Sequence, residues 1–185
     1  MTDEDVSKFP ETLPNLHTLS VALNQITDVG LSDLLGWAPD VVVLDLEANE
    51  IVFAIWTQAI TQLWRANSPL RHLNVSHNIP TIQSLTGFCW GVGLSRLITL
   101  DAAMSDYPVR HVPARLLTFL LLNKSLERVN LRGIRFCTMV QRGLPSDPEL
   151  YPGGPIGKDL AEHPRLRSIL LDKNLLWARN TVASV

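Results

Sequence analysis

A short apolar pattern recurs along the chain and constrains its fold more than any other feature. Each copy has apolar residues at positions one, four and six, and the clearest copies add asparagine at position nine and an apolar residue at position eleven, a place that Pro80 takes in the third copy. The copies begin at Leu16, Val41, Leu70, Leu97, Leu126 and Leu166. Repeats that cannot bury their apolar faces alone must stack on their neighbours, so six copies in register predict a solenoid. Ser105 and Ile134 replace the asparagine in the fourth and fifth copies, where we expect a distorted turn.

The spacing between copies leaves room for a helix in each repeat. The first five copies begin roughly 25 to 29 residues apart, which is long enough for a strand and a helix in one repeat. Apolar residues at helical spacing predict helices over residues 29–37, 53–66, 81–94 and 112–122, the third interrupted by glycines and the fourth tolerating a proline in its first turn. The interval from Leu126 to Leu166 is the longest, and it contains a loop rich in proline and glycine at about residues 142–157, which we expect on one rim as a second contact.

These residues and spacings resemble those of the leucine-rich-repeat family, from about Leu13 to Leu176. The length of the repeats, at the upper end of the family's range, is similar to that of its ribonuclease-inhibitor-like class. The resemblance implies an α/β fold, with a curved parallel sheet on the concave side, helices on the convex side and about six repeats. We divide the chain into a polar N-terminal extension, residues 1–12, and a single repeat domain, residues 13–185, that carries the inserted loop.

Composition argues against several classes of protein. The formal charge is −2, which is unlike the basic excess of a nucleic-acid-binding protein. Two cysteines cannot form a disulfide framework, and the acidic N-terminus is unlike a signal peptide. No apolar run approaches the ~20 residues that span a membrane. We therefore expect a cytoplasmic or otherwise intracellular protein, in which a cytoskeletal or organellar complex is included.

Catalytic and metal-binding patterns are absent from the sequence. The glycine-rich segment at residues 152–158 lacks the first glycine and the final hydroxyl residue of a phosphate-binding loop. His72 and His77 are the closest histidine pair, and strand alternation places them on opposite faces. Cys89 and Cys137 stand alone and are expected in or near the core. The sequence therefore predicts no catalytic residue, no cofactor, no metal and no small-molecule substrate.

Residues that flank the core position of each strand are candidates for binding a partner, because they face the concave surface. They are Asp45, Glu47, His72, Asn74, Ser76, Asp101, Arg128, Asn130, Arg132 and Asp172. The early repeats supply the acidic members and the later repeats the two arginines, so a partner of complementary charge would be oriented along the groove. The alternative is that these are solvated surface residues.

The helical side offers another candidate contact. Residues 116–122 are apolar nearly all round, and the preceding helix carries an aromatic residue. Trp90, Leu117 and Leu121 either pack between two helices or form an exposed apolar patch for a partner. The segments outside the repeats are short for capping helices, so we also expect at least one end to pack on another chain or a second copy.

Together these observations predict a non-catalytic protein–protein interaction module, a subunit or adaptor of a larger assembly. Its partners would be other proteins, with no direct contact to nucleic acid or membrane. Two alternatives remain from the resemblance: a regulator or inhibitor of an enzyme, of the GTPase-activating or ribonuclease-inhibitor kind, and a cytoskeletal capping protein.

Overall fold

The computed structural model describes residues 1–9, 12–54, 62–65, 67–78, 81–104, 112–113, 116–134, 136–137, 158 and 160–170. This part of the chain contains short strands and four helices. In chain order the elements are α1 Asp3–Ser7, β1 Thr18–Ser20, α2 Asp28–Trp37, β2 Val43–Asp45, β3 His72–Asn74, α3 Ile82–Leu94, β4 Thr99–Asp101, β5 Val112–Pro113, α4 Leu116–Leu120, β6 Arg128–Asn130, β7 Phe136–Cys137 and β8 Ser168–Leu170.

Six of these strands form one open parallel sheet in the order β1-β2-β3-β4-β6-β8. Each strand pairs with the next in the same register, so the middle residues Leu19, Leu44, Leu73, Leu100, Val129 and Ile169 lie opposite one another. Strand order follows chain order, as expected when each repeat stacks on the one before. The predicted α/β solenoid with a parallel sheet is confirmed.

The core lies between this sheet and the helices. Leu44, Leu73 and Leu100 are buried at the middle of their strands, whereas the residues on either side of them are only half-buried. This alternation places one face of the sheet against the helices, which contribute Leu34 and Val92 to the same core. Burial of these side chains supplies the main free energy that holds the repeats together.

Asparagine at position nine ties neighbouring repeats together. The Asn49 side chain accepts a hydrogen bond from the Ile26 N–H at 3.0 Å and donates to the Val21 carbonyl at 2.9 Å, both in the preceding repeat. Asn78 repeats both bonds one repeat later, to Ile51 and Leu46. The residues before Asn24, Asn49 and Asn78 have a left-handed backbone. Gly133 has the same conformation before Ile134, so the positive φ is kept in the fifth copy although its asparagine is missing.

Close packing explains two of the glycines of α3, Gly91 and Gly93; the helix runs unbroken from Ile82 to Leu94. A Cβ at Gly91 would overlap the indole ring of Trp64, and one at Gly93 would overlap the carbonyl oxygen of Phe119. The glycines therefore let α3 approach its neighbours instead of interrupting the helix. Among the described helices, none combines the length and the apolar composition needed to cross a bilayer.

Residues 112–122 do not form the single helix that was predicted. Val112–Pro113 is strand β5, which pairs in parallel with β7, and α4 begins only at Leu116. Proline fixes φ and lacks an N–H, so it fits a two-residue strand as well as a first helical turn. Most of the helix predicted over residues 53–66, the loop at residues 142–157 and the end of the sixth copy lie outside the described residues.

The N-terminal residues also differ from the expected polar extension. Helix α1 packs against α2, and Val6 of α1 is buried. The rings of Phe9 and Trp37 stack with centroids 4.7 Å apart. Residues 1–9 therefore cover part of the first repeat, and this end of the solenoid is not left wholly to another chain.

Candidate functional site

The concave face carries a row of polar side chains that we call the central lane. It consists of Asp45, Asn74, Asp101 and Asn130, the last residues of β2, β3, β4 and β6. The strand register places each of them opposite the next. The lane runs through an open groove of about 510 Å³, whose lining also includes His72 and Arg128.

Each lane residue is held by its own backbone. A side-chain oxygen of each accepts a hydrogen bond from the N–H two residues later, and the pairs are Asp45 with Glu47 at 3.1 Å, Asn74 with Ser76 at 3.1 Å, Asp101 with Ala103 at 3.3 Å and Asn130 with Arg132 at 3.2 Å. These short local bonds are typical of Asp and Asn at turns. They hold the four side chains in similar orientations where the strands end.

Further hydrogen bonds link the lane from strand to strand. Asn74 donates to Glu47 Oε2 at 3.0 Å. The Ser76 hydroxyl donates to Asp101 Oδ1 at 2.6 Å, and the Asn130 amide donates to the same oxygen at 3.0 Å. At the other end, the hydroxyl of Ser20 donates to Asp45 Oδ2 at 3.1 Å. The concave surface from β1 to β6 is therefore ordered before any partner arrives.

Charge is divided along the groove. Asp45, Glu47 and Asp101 lie on or just after β2 and β4, whereas Arg128 and Arg132 lie on or just after β6 and are exposed. The ion pairs found among the described residues involve none of these five side chains. Asp45 and Asp101 are two strands apart, nearly ~10 Å, which is too far for the two carboxylates to share a proton.

The remaining predicted residues of this face have different environments. His72 is half-buried, and its Nδ1 lies 2.8 Å from the hydroxyl oxygen of Thr99. Ser76 is buried and gives its hydroxyl to Asp101, so it orders the lane and does not reach a partner directly. Asp172 lies outside the described residues.

The exposed apolar residues on the helical side are only partly those that were predicted. Leu117 and Leu121 are only 3% and 4% exposed, so they pack between the helices and do not form a contact surface. Trp90 is 50% exposed, and its ring meets that of Phe119 edge-on at 5.4 Å. The residue that the sequence analysis missed is Leu94, which is 65% exposed. Its position four residues after Trp90 on the same helix is the signal that could have identified it.

No metal or nucleophile site emerges from the described part of the chain. It contains no group of three or more His, Cys, Asp or Glu side chains placed to hold a metal ion. Cys89 is buried, and burial raises the pKa of its thiol to about 12. Because the thiolate is the reactive form of cysteine, this side chain is an inert part of the core.

Comparison with known proteins agrees with the repeat pattern. Residues 12–35 match a family model described as Leucine Rich repeat. This span contains the first copy of the pattern, strand β1 and most of helix α2. The other five copies supply the strands that continue the same parallel sheet. No curated protein matches the chain.

Proposed function

Because the first repeat matches a leucine-rich-repeat model and the other copies continue the same sheet, we propose that the chain is a non-catalytic protein–protein interaction module, a subunit or adaptor of a larger intracellular assembly. Leucine-rich repeats are typical of domains that bind other proteins. We propose that this chain binds through its concave face. No observation on the described residues favours the alternatives of enzyme regulation or filament capping.

The observation that supports this proposal is the ordered, charge-divided central lane. Hydrogen bonds from β1 to β6 fix the lane side chains, so a partner would have little conformational entropy to remove on binding. The groove is open to solvent, which suits a broad protein contact better than a reaction that requires water to be excluded.

The arrangement of charges indicates the chemistry of the partner. A basic segment would lie over Asp45, Glu47 and Asp101, and an acidic segment would meet Arg128 and Arg132. Complementary charges of this kind set orientation and association rate more than they set affinity. The formal charge of −2 and the acidic half of the groove favour a protein over a nucleic acid or an anionic membrane.

A variant that replaces two carboxylates of the concave face by neutral amides tests the proposal. Asp45→Asn together with Glu47→Gln removes two negative charges and keeps one accepting oxygen at each position, for the backbone N–H of residue 47 and for the Asn74 amide. The Ser20 hydroxyl, which now donates to Asp45, can accept from the new amide at position 45. We expect proteins that co-purify with the tagged full chain at fixed stoichiometry to be retained several-fold less by this variant at low salt. Raising the salt should reduce capture by the wild type toward the same level, because salt screens exposed charges.

The matched control is Asp33→Asn together with Asp40→Asn. Both residues are exposed and lie outside the groove, so the control changes net charge equally. It should capture the same proteins as the wild type. Equal capture by the Asp45 and Glu47 variant and the wild type would rule out the concave face as the binding surface.

A further inference from the structure

The first nine residues correspond to the part of a repeat that follows its strand, namely the turn and the helix. Residues 2–6 read Thr-Asp-x-x-apolar, and the same pattern returns one repeat later at residues 27–31. Thr2 and Thr27 each precede a helix, and Val6 and Leu31 are buried at equivalent positions. Among the described residues, helix α1 therefore has no strand beside β1 to accompany it.

Hydrogen bonds confirm that this equivalence is structural. The Gln25 N–H donates to the Met1 carbonyl at 3.0 Å, and one repeat later the Glu50 N–H donates to the Ile26 carbonyl at 2.9 Å. Asp3 accepts from the Thr27 N–H at 2.9 Å, as Asp28 accepts from the Val52 N–H at 3.2 Å. Residues 1–9 thus occupy the place of a preceding repeat.

The outer edge of β1 is the place where the strand of that repeat would pair. His17 and Val21 bond to β2 through the His17 carbonyl and the Val21 N–H. Alternate residues of a parallel strand bond to opposite neighbours, so the N–H and C=O groups of Thr18 and Ser20 point away from β2. Their equivalents Val43 and Asp45 use these groups to bind the preceding strand. No described residue pairs with this edge of β1.

Side chains at the same edge are also incompletely satisfied. Leu16 and Leu19 are half-buried, whereas the equivalent Val41 and Leu44 are buried beneath both neighbours. The Asn24 amide donates only to carbonyls of its own repeat, whereas Asn49 and Asn78 also reach the preceding repeat. The backbone of β1, the side chains of Leu16 and Leu19 and the Asn24 amide therefore all lack a neighbour on the same side.

We propose that the open edge of β1 accepts an extended segment of a partner protein as an added parallel strand. The segment would carry two apolar residues three positions apart, one beside Leu16 and one beside Leu19, because those positions face the core. Its backbone would bond to Thr18 and Ser20, which is the β-augmentation mode of peptide recognition. This surface is separate from the concave groove.

A peptide copied from the chain itself is a suitable probe. Residues 69–78, PLRHLNVSHN, have the required pattern and already pair in parallel with β4. In that pairing the Arg71 carbonyl accepts from the Thr99 N–H, and the Val75 N–H donates to the Asp101 carbonyl. The same bonds to β1 would use the Thr18 N–H and the Ser20 carbonyl. We expect a fluorescein-labelled form of this peptide to bind the full chain in an anisotropy titration.

Backbone methylation distinguishes strand pairing from nonspecific apolar binding. N-methylation of the peptide at Leu73 and Val75 blocks the edge that faces β1, and should weaken binding by about tenfold or more through two lost backbone hydrogen bonds. N-methylation at His72 and Asn74 modifies the opposite edge and should leave the affinity unchanged. Equal weakening by both modifications, or no binding of the unmodified peptide, would overturn the proposal.

Variants of the protein provide the reciprocal test. Thr18→Pro removes the outward N–H but none of the bonds to β2, and proline is tolerated on an edge strand. It should abolish peptide binding with an unchanged circular dichroism spectrum, whereas Thr18→Ala should bind normally. Self-association that sedimentation detects in the wild type and that Thr18→Pro abolishes would instead assign this edge to a second copy of the chain. Asp45 and Glu47 are unaltered in either variant, so the concave-face proposal is tested independently.

Discussion

Replacement of Asn49 by alanine tests whether the asparagine ladder holds neighbouring repeats together. The side chain is only 4% exposed and is the hydrogen-bond acceptor of the buried Ile26 N–H. The carbonyls of Val21 and Leu46 keep a second amide donor, from Asn24 and Asn78, so the main cost is the orphaned N–H. An unsatisfied buried N–H costs about 1–3 kcal/mol, and with the weakened bonds to the carbonyls we expect a loss of about 2–4 kcal/mol in the free energy of unfolding.

The same substitution at Asn24 is the matched control. Asn24 is half-buried, its amide bonds only to its own turn, and its oxygen accepts from the exposed amino group of Met1. Water can replace these partners, so Asn24→Ala should cost about 1 kcal/mol or less.

Urea unfolding followed by circular dichroism measures both losses, with the slope of the transition checked between variants. If Asn49→Ala costs no more than Asn24→Ala, the bonds between repeats are not the source of stability that the structure indicates.

Other substitutions test the backbone and the charges. Gly133→Ala should lower the free energy of unfolding by about 2 kcal/mol or more, because the site has a positive φ and the new Cβ would overlap the carbonyl oxygen of Met104. Ala48 also has a positive φ, of 52°, so Ala48→Gly should be neutral or stabilising by up to about 1 kcal/mol in the same urea assay. Gly36→Ala should stabilise α2 by about 0.5–1 kcal/mol, since nothing lies within 4 Å of the new methyl group, and a lower urea midpoint would contradict this. Burial raises the pKa of Asp28 above its ordinary value of 3.8, so the native state holds its proton more tightly than the unfolded state. Ionisation of Asp28 should therefore lower the free energy of unfolding as the pH rises through the range just above 3.8. Urea midpoints measured against pH should show this decrease in the wild type and not in Asp28→Asn.

The sequence predicted the sheet well because its signal repeats. Each copy places an apolar residue at position four, and those residues became the middle of every strand in the sheet. Register then follows from the repeat itself, since equivalent residues of stacked repeats lie opposite one another. The order of residues along the central lane could therefore be predicted without knowing any contact.

The half-repeat at the N-terminus was missed although its signal is present. The strand pattern does not reveal it, because residues 1–9 contain only the part of a repeat that follows the strand. The recurrence of Thr2-Asp3 as Thr27-Asp28, each followed by a buried apolar residue, would have revealed it. A repeat should thus be compared over its whole length and not only at its clearest motif.

Two other features could not be predicted from pattern alone. Residues 116–122 are apolar on every side, so periodicity does not say which of them face outward, and Leu117 and Leu121 proved buried. The left-handed residues Leu23, Ala48 and His77 are not glycines, and their conformation depends on the turn that the following asparagine closes. Only Gly133 has a residue type that indicates a positive φ.

The hydrogen bonds of the central lane also determine which of its atoms are left for a partner. The Asn74 and Asn130 side chains bond to neighbouring groups on this face through both their oxygen and their nitrogen. The bonds that the structure describes to the Asp101 side chain all reach Oδ1, and the one to the Glu47 side chain reaches Oε2. Neutral amides already used in this way have little more to gain from a partner, whereas the carboxylates of Glu47 and Asp101 keep their charge and a second oxygen, and Asp45 keeps its charge. Selectivity at this face would therefore depend on where its charges lie, because the asparagines and Ser76 serve mainly to hold those charges in position.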